Sequence, residues 1–199
     1  MFKLYSTIRD LILWNKRGFL DNSPQFIKQK ILKKNSIKNA VWIESGTYLG
    51  TTTSFLSKIS PHVHTIEPEK TLYLNAKKQF FQCNVTCYND TSENIIHLII
   101  GNLDGEINFW LDGHYSGGIT FKGDIECPVL KELETISQNL KKFKKICIFI
   151  DDARCFFEGN EYVNYPSINK IIDWARNNNF VWKVEHDIII LSYNAKTDL

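Results

Sequence analysis

The chain has 199 residues, 43% of them hydrophobic, enough for one domain with a sizeable core. A formal net charge of +2 gives no bulk preference for nucleic acid or an acidic membrane surface. Five cysteines with no C-x-x-C pair argue against a disulfide framework or a zinc site, and fit a reducing, cytoplasmic location.

Residues 1–14 place Leu4, Ile8, Leu11 and Ile12 on one helical face. Lys3, Arg9 and Asp10 make the segment too polar for a signal peptide and it is too short for a span, so no stable membrane insertion is expected. A second helix is expected over 24–32, capped by Asn22 or Ser23. The basic run 28–38 and the shorter one at 141–145 read as solvated surface. Residues 1–37 are accordingly expected to form an N-terminal helical extension that packs on or caps the site, with the main domain at 38–199.

That domain opens on Val41-Trp42-Ile43-Glu44-Ser45-Gly46-Thr47-Tyr48-Leu49-Gly50, followed by Thr51 to Thr53. It reads as a buried strand ending at an acid, a glycine turn, and a helix capped by small hydroxyl residues. His64-Thr65-Ile66-Glu67-Pro68 closes a second apolar run with another acid, which Pro68 holds extended. Strand, glycine turn, helix, and a second strand ending in a carboxylate make half of a nucleotide-binding α/β sheet, the acid accepting ribose hydroxyls. Tyr48 stands where a pyrophosphate turn needs a glycine, and no Gly-Lys-Ser/Thr follows, which disfavours a dinucleotide and a P-loop. The competing reading is an α/β domain with a tight turn and no cofactor.

Further strands are expected at 84–88, 106–111 and 145–150. They run into Asp90, Asp112 and the Asp151-Asp152 pair. Asp90 is either a ligand contact or, with Ser92, a cap for a helix over 93–100. Cys127-Pro128 opens a helix over 129–140, on which Glu132 and Glu134, like Glu126 before it, read as solvated charges. Cys147 reads as a small buried hydrophobe. Phe180 to Val184, a short polar connection, and Ile188 to Leu191 indicate a terminal hairpin, so one strand must run antiparallel.

The Glu44, Gly46, Gly50 and Glu67 constellation resembles the class I S-adenosylmethionine-dependent methyltransferases, and the terminal hairpin extends the likeness over residues 38–191. The resemblance implies an α/β, Rossmann-like, doubly wound and mostly parallel seven-stranded sheet with a C-terminal antiparallel hairpin. It implies S-adenosylmethionine as cofactor, held by Glu44, Gly46, Thr47, Tyr48, Gly50, Glu67, Asp90 and Asp112. Three aspartates at neighbouring strand ends repel unless neutralised. The pattern of Asp112, Asp151 and Asp152 resembles metal-dependent O-methyltransferases of the catechol and macrolide-sugar types, in which a divalent cation such as Mg2+ binds there. The lysine that catechol-type enzymes use as base is replaced by Tyr115 in this chain. His114, or Asp112 doubling as ligand, is the expected base. The bland alternative pairs Asp151 with Arg154, makes Asp152 a helix cap, and leaves His114 a turn residue. Tyr115, Phe121 and Lys122, on a glycine-rich loop, are the expected substrate contacts. The resemblance thus implies O-methylation of a sugar or glycoconjugate hydroxyl. A catechol-like small molecule is the runner-up, and a non-catalytic nucleoside-binding module the rival. A small-molecule or glycan acceptor is the expected partner, with no nucleic acid and room for a homo-oligomer.

Overall fold

The computed structural model describes residues 2–19, 22–113, 127–157 and 164–195. Helices α1 (Phe2–Lys16) and α2 (Gln25–Asn35) lead into β1 (Val41–Ser45), α3 (Thr51–Leu56), β2 (Val63–Ile66), α4 (Lys70–Gln79) and β3 (Val85–Tyr88). The chain continues through α5 (Ser92–Gly101), β4 (Gly105–Leu111), α6 (Val129–Gln138), β5 (Phe143–Ile150) and α7 (Ile168–Asn177), and closes with β6 (Val181–Glu185) and β7 (Ile188–Asn194). The seven strands form one sheet in the order β3-β2-β1-β4-β5-β7-β6. Neighbours among the first five pair in parallel, while β7 runs antiparallel to both β5 and β6. The expected architecture, terminal hairpin included, is therefore the observed one.

Alternation along the strands feeds two cores, one on each face of the sheet. Ile43, Phe109, Leu111, Ile146 and Ile148 meet Ile96 and Ile100 of α5, Leu133 and Ile136 of α6, and Ile171 of α7. On the other face Trp42, Trp110, Phe149 and Ile190 meet Ile31 and Leu32 of α2 and Leu56 of α3. Trp42 stacks on Phe149 at 5.5 Å between ring centroids, joining β1 to β5 beneath α2. Cys147 is buried in that second core, as its place in an apolar strand suggested.

Several helix ends differ from expectation. Pro24 rather than Asn22 or Ser23 caps α2. It does so through its carbonyl, which accepts from the Ile27 and Lys28 N–H groups, with no side-chain cap. Gly50, in the left-handed region at φ 72°, takes the cap position of α3 and has no side chain to cap with, while the Thr53 hydroxyl inside the helix donates to Glu44. Helix α6 stops at Gln138, and a separate 3-10 turn spans Leu140–Lys142. Glu132 on that helix is 1% exposed, not solvated. Helix α1 is anchored by buried Trp14, whose ring lies 4.8 Å from Phe19 and 5.2 Å from His186 in the β6–β7 turn. No helix among the described residues is long and apolar enough to cross a membrane.

Candidate functional site

The carboxyl ends of the strands form a continuous rim, because main-chain pairing runs one residue past the strands. The Glu67 N–H donates to Tyr88 O at 2.9 Å, Gly46 to Ile66 O at 3.0 Å, Asp112 to Ser45 O at 3.1 Å, and Asp151 to Leu111 O at 3.1 Å. The Ala153 N–H donates to Asp187 O at 2.9 Å and brings in the hairpin turn. Glu67, Gly46, Asp112, Asp151 and Asp187 thus follow one another across the sheet. With strands about 4.8 Å apart, Glu67 and Asp151 stand roughly 14 Å apart along the rim. This is the crevice edge at which open α/β sheets bind ligands.

At the β2 end, Glu67 Oε2 accepts from the Tyr48 N–H at 2.8 Å and Oε1 from the Glu69 N–H at 3.0 Å. A carboxylate has about four lone-pair positions, so each oxygen retains one for a further donor. Burial raises the Glu67 pKa above the usual carboxylate value, and the two N–H groups work against that rise. The Tyr48 N–H reaches Glu67 because Tyr48 itself adopts φ 49°, a left-handed conformation rare for an aromatic residue.

Beneath the turn, Glu44 is fully buried. Its Oε2 accepts from the Thr53 hydroxyl at 2.5 Å and the Thr65 hydroxyl at 2.6 Å, and Thr65 in turn lies 2.6 Å from the Thr47 hydroxyl. Among the described residues Oε1 has no hydrogen-bond partner. Desolvation pushes the Glu44 pKa up to about 7 against the pull of the two threonines. The glycines of the turn answer to the protein itself. A Cβ on Gly46, at φ 86°, would lie 2.3 Å from the Asp112 carbonyl oxygen. One on Gly50 would lie 2.8 Å from the Phe80 ring. Their spacing is therefore explained by how tightly the turn packs on β4 and α4.

Asp90 Oδ1 accepts from the Thr91 N–H at 2.8 Å and from the Asn94 side chain at 3.0 Å, so Asp90 secures the start of α5. His114, Tyr115, Phe121 and Lys122, expected as base and substrate contacts, lie outside the described residues.

The aspartate cluster differs most from expectation. Lys28 of α2 is 6% exposed and forms an ion pair with Asp151 Oδ2, while its Nζ lies 3.6 Å from Asp152 Oδ1. Burial alone would lower the Lys28 pKa. The charges of Asp151, Asp112 and Asp152 outweigh it and hold the pKa above the ordinary lysine value. Arg154 does not pair with Asp151. Its guanidinium reaches Asp152 at 2.8 Å and pairs with Asp187, whose carboxylate also accepts from the Arg154 N–H at 2.9 Å. Asp152, at φ 56°, does stand at the cap position, but of a short 3-10 turn and through its carbonyl, which accepts from the Cys155 N–H at 2.8 Å, with no side-chain cap bond.

One buried cation, Lys28, and the half-buried Arg154 thus stand among four carboxylates at this end of the rim. Among the described residues no group of His, Cys, Asp and Glu side chains is arranged to hold a metal ion. A divalent cation does not fit Asp112, Asp151 and Asp152 as they stand, because the Lys28 ammonium already lies between the acids. A nucleoside with free ribose hydroxyls fits Glu67, which keeps acceptor capacity at the opposite end. Lys28 was hidden by its surroundings in sequence, a run rich in lysine. The available signal was helical spacing, since Lys28, Ile31 and Leu32 share one face at i, i+3 and i+4.

No protein-family model and no curated protein sequence matches the chain. Solved structures do match in fold. A methyltransferase from Geobacter sulfurreducens is 12% identical with a TM-score of 0.57, over 96% of this chain and 88% of that one. A candidate methyltransferase from Streptococcus mutans, solved in complex with SAH, is 14% identical with a TM-score of 0.51, over 86% and 97%. An rRNA-methylase-like protein from Clostridium thermocellum is 13% identical with a TM-score of 0.52, over 84% and 94%. At such identities the likeness is one of fold: the chain has the fold of the class I S-adenosylmethionine-dependent methyltransferases.

Proposed function

We propose that the protein is an S-adenosylmethionine-dependent methyltransferase that methylates a hydroxyl group of a sugar or glycoconjugate. The observation that carries this reading is the rim: a ribose-competent carboxylate at β2 and a charged aspartate cluster at β5 share one edge, on the fold reported above. When bound, S-adenosylmethionine would supply an electrophilic methyl group whose sulfonium S–C bond breaks on transfer, the electron pair staying on sulfur in the departing S-adenosylhomocysteine. Glu67 accepts the ribose hydroxyls, and its two N–H donors keep the carboxylate oriented for them. Glu44 offers its unpartnered Oε1 to the cationic amino end. Asp90 stands at the adenine side, and Asp112, three strands along from Glu67's neighbour β3, borders the acceptor. The acceptor oxygen must be aligned with the methyl group and must lose its proton as the new O–C bond forms. His114 or Asp112 takes that proton in this reading. The sugar assignment follows the Asp-Asp pattern, and a catechol-like diol is the next substrate to try.

Isothermal titration with S-adenosylhomocysteine tests the cofactor. The wild type is expected to bind, and Glu67→Ala to weaken binding at least tenfold by losing charge-assisted hydrogen bonds to the ribose. Equal affinity in the variant would remove Glu67 from the site, and a silent wild type would end the methyltransferase reading. Methyl transfer to a panel of sugars, nucleotide sugars and catechols then identifies the acceptor.

A further inference from the structure

The sequence suggests an aspartate set awaiting a divalent ion, and the structure offers another occupant. We propose that the Lys28 ammonium is the resident cation of the Asp112–Asp151–Asp152 cluster, so that this end of the rim works without a divalent metal.

The geometry supports it in three ways. Lys28 pairs with Asp151 Oδ2 and stands 3.6 Å from Asp152 Oδ1, both acids being buried. A hard divalent ion needs several oxygen ligands at about 2.0–2.6 Å, and an ammonium in contact with two of the carboxylates blocks that approach. The lysine is also held in place, since Ile31 and Leu32, on the same face of α2, are 3% and 0% exposed in the core against Trp42 and Phe149. Withdrawing Nζ would therefore mean stranding a buried side chain or lifting the helix. Arg154 supplies the second positive charge, bridging Asp152 to Asp187 and tying the β5 end to the hairpin turn. Among the described residues Asp151 Oδ1 has no hydrogen-bond partner, and Asp151 is one of the residues lining a small cavity with Gly113, Val129 and Phe156. The Lys28–Asp151 pair thus stands at the wall of that cavity, with the carboxylate charge balanced by Lys28. A lysine on a helix outside the α/β succession thereby completes the site.

The proposal concerns the cluster and does not depend on the cofactor assignment, so its test contains no nucleoside. Mn2+ binding to the full chain, stripped with chelator, is followed by electron paramagnetic resonance and by thermal shift. The wild type is expected to show no saturable Mn2+ binding, and Mg2+ or Ca2+ to leave its Tm unchanged. Lys28→Met removes the ammonium but keeps the length, and is expected to bind Mn2+ saturably with a rise in Tm. Adding Asp151→Asn to that variant should abolish the gain. Saturable Mn2+ binding by the wild type that Asp151→Asn removes would overturn the proposal, and this arm needs no lysine variant to fold. A folded Lys28→Met that acquires no Mn2+ affinity would overturn it as well.

Discussion

Glu44 shows how a single buried side chain can tie the stability of this rim to pH. Its pKa rises from 4.5 to about 7 because burial disfavours the charged form more than Thr53 and Thr65 favour it. The folded state therefore binds this proton more tightly than the unfolded chain does. The stabilisation is complete below about pH 4.5, fades as the pH rises, and is gone above about pH 7. Such a difference corresponds to ~3 kcal/mol for a fully buried group. Glu67 is shifted in the same direction and adds to the slope. Thermal denaturation of the ligand-free protein should thus show Tm falling between pH 5 and pH 8. Glu44→Gln, neutral in both states, should flatten that fall. The readout is the slope, since an unpaired amide hydrogen in place of Oε1 lowers stability equally at every pH. An unchanged slope would mean that Glu44 titrates normally. At this scale the sequence was informative where acids close strands, because a parallel sheet delivers strand ends to one edge. It misled on Lys28 and Glu132, both read as solvated charges yet buried, because their burial depends on which helix face meets the sheet.

Among the described side chains α2 buries Lys28, Ile31 and Leu32 while α1 buries Trp14 alone, and the two helices should part accordingly. Helix α2 puts Lys28, Ile31 and Leu32 into the interior, and the Asn108 side chain binds the Ile37 N–H and C=O at 2.9 Å each, just beyond it. Helix α1 leaves Ile8, Leu11 and Ile12 exposed and is tied down by Trp14. Deleting residues 1–19 should keep the chain folded and soluble with a modest fall in Tm. Deleting 1–36 should expose Trp42 and Phe149, leave Asp151 without its cation, and yield aggregated protein. Buried-charge loss alone is worth about 3–5 kcal/mol, a large part of a domain's stability. Equal behaviour of the two truncations, judged by size-exclusion chromatography and circular dichroism, would show the helices to be one unit. The helices themselves were legible from apolar spacing. Their ends were not, because Pro24 and Gly50 cap through backbone geometry where side-chain capping was expected.

For the molecule as a whole, successive residues of each central strand face opposite cores: Trp42 and Ile43, Phe109 and Trp110, Ile148 and Phe149, Ile189 and Ile190. The topology was readable because these strands are continuous apolar runs, and because only an antiparallel partner can follow so short a turn as that before Ile188. The same alternation has a thermodynamic consequence. Neither core can be lost without stripping one face of strands that the other core needs, so the two should melt together. Leu133→Ala on one face and Leu56→Ala on the other, both at 0% exposure, should each cost about 2–5 kcal/mol. Urea unfolding followed by tryptophan fluorescence and by far-ultraviolet circular dichroism should give coincident single transitions for wild type and both variants, with shifted midpoints and unchanged slopes. A second transition in either variant would show the faces to be separable. The rim would then no longer be one rigid edge, and Glu67 and Asp151 could not hold the fixed spacing that the proposed methyl transfer requires.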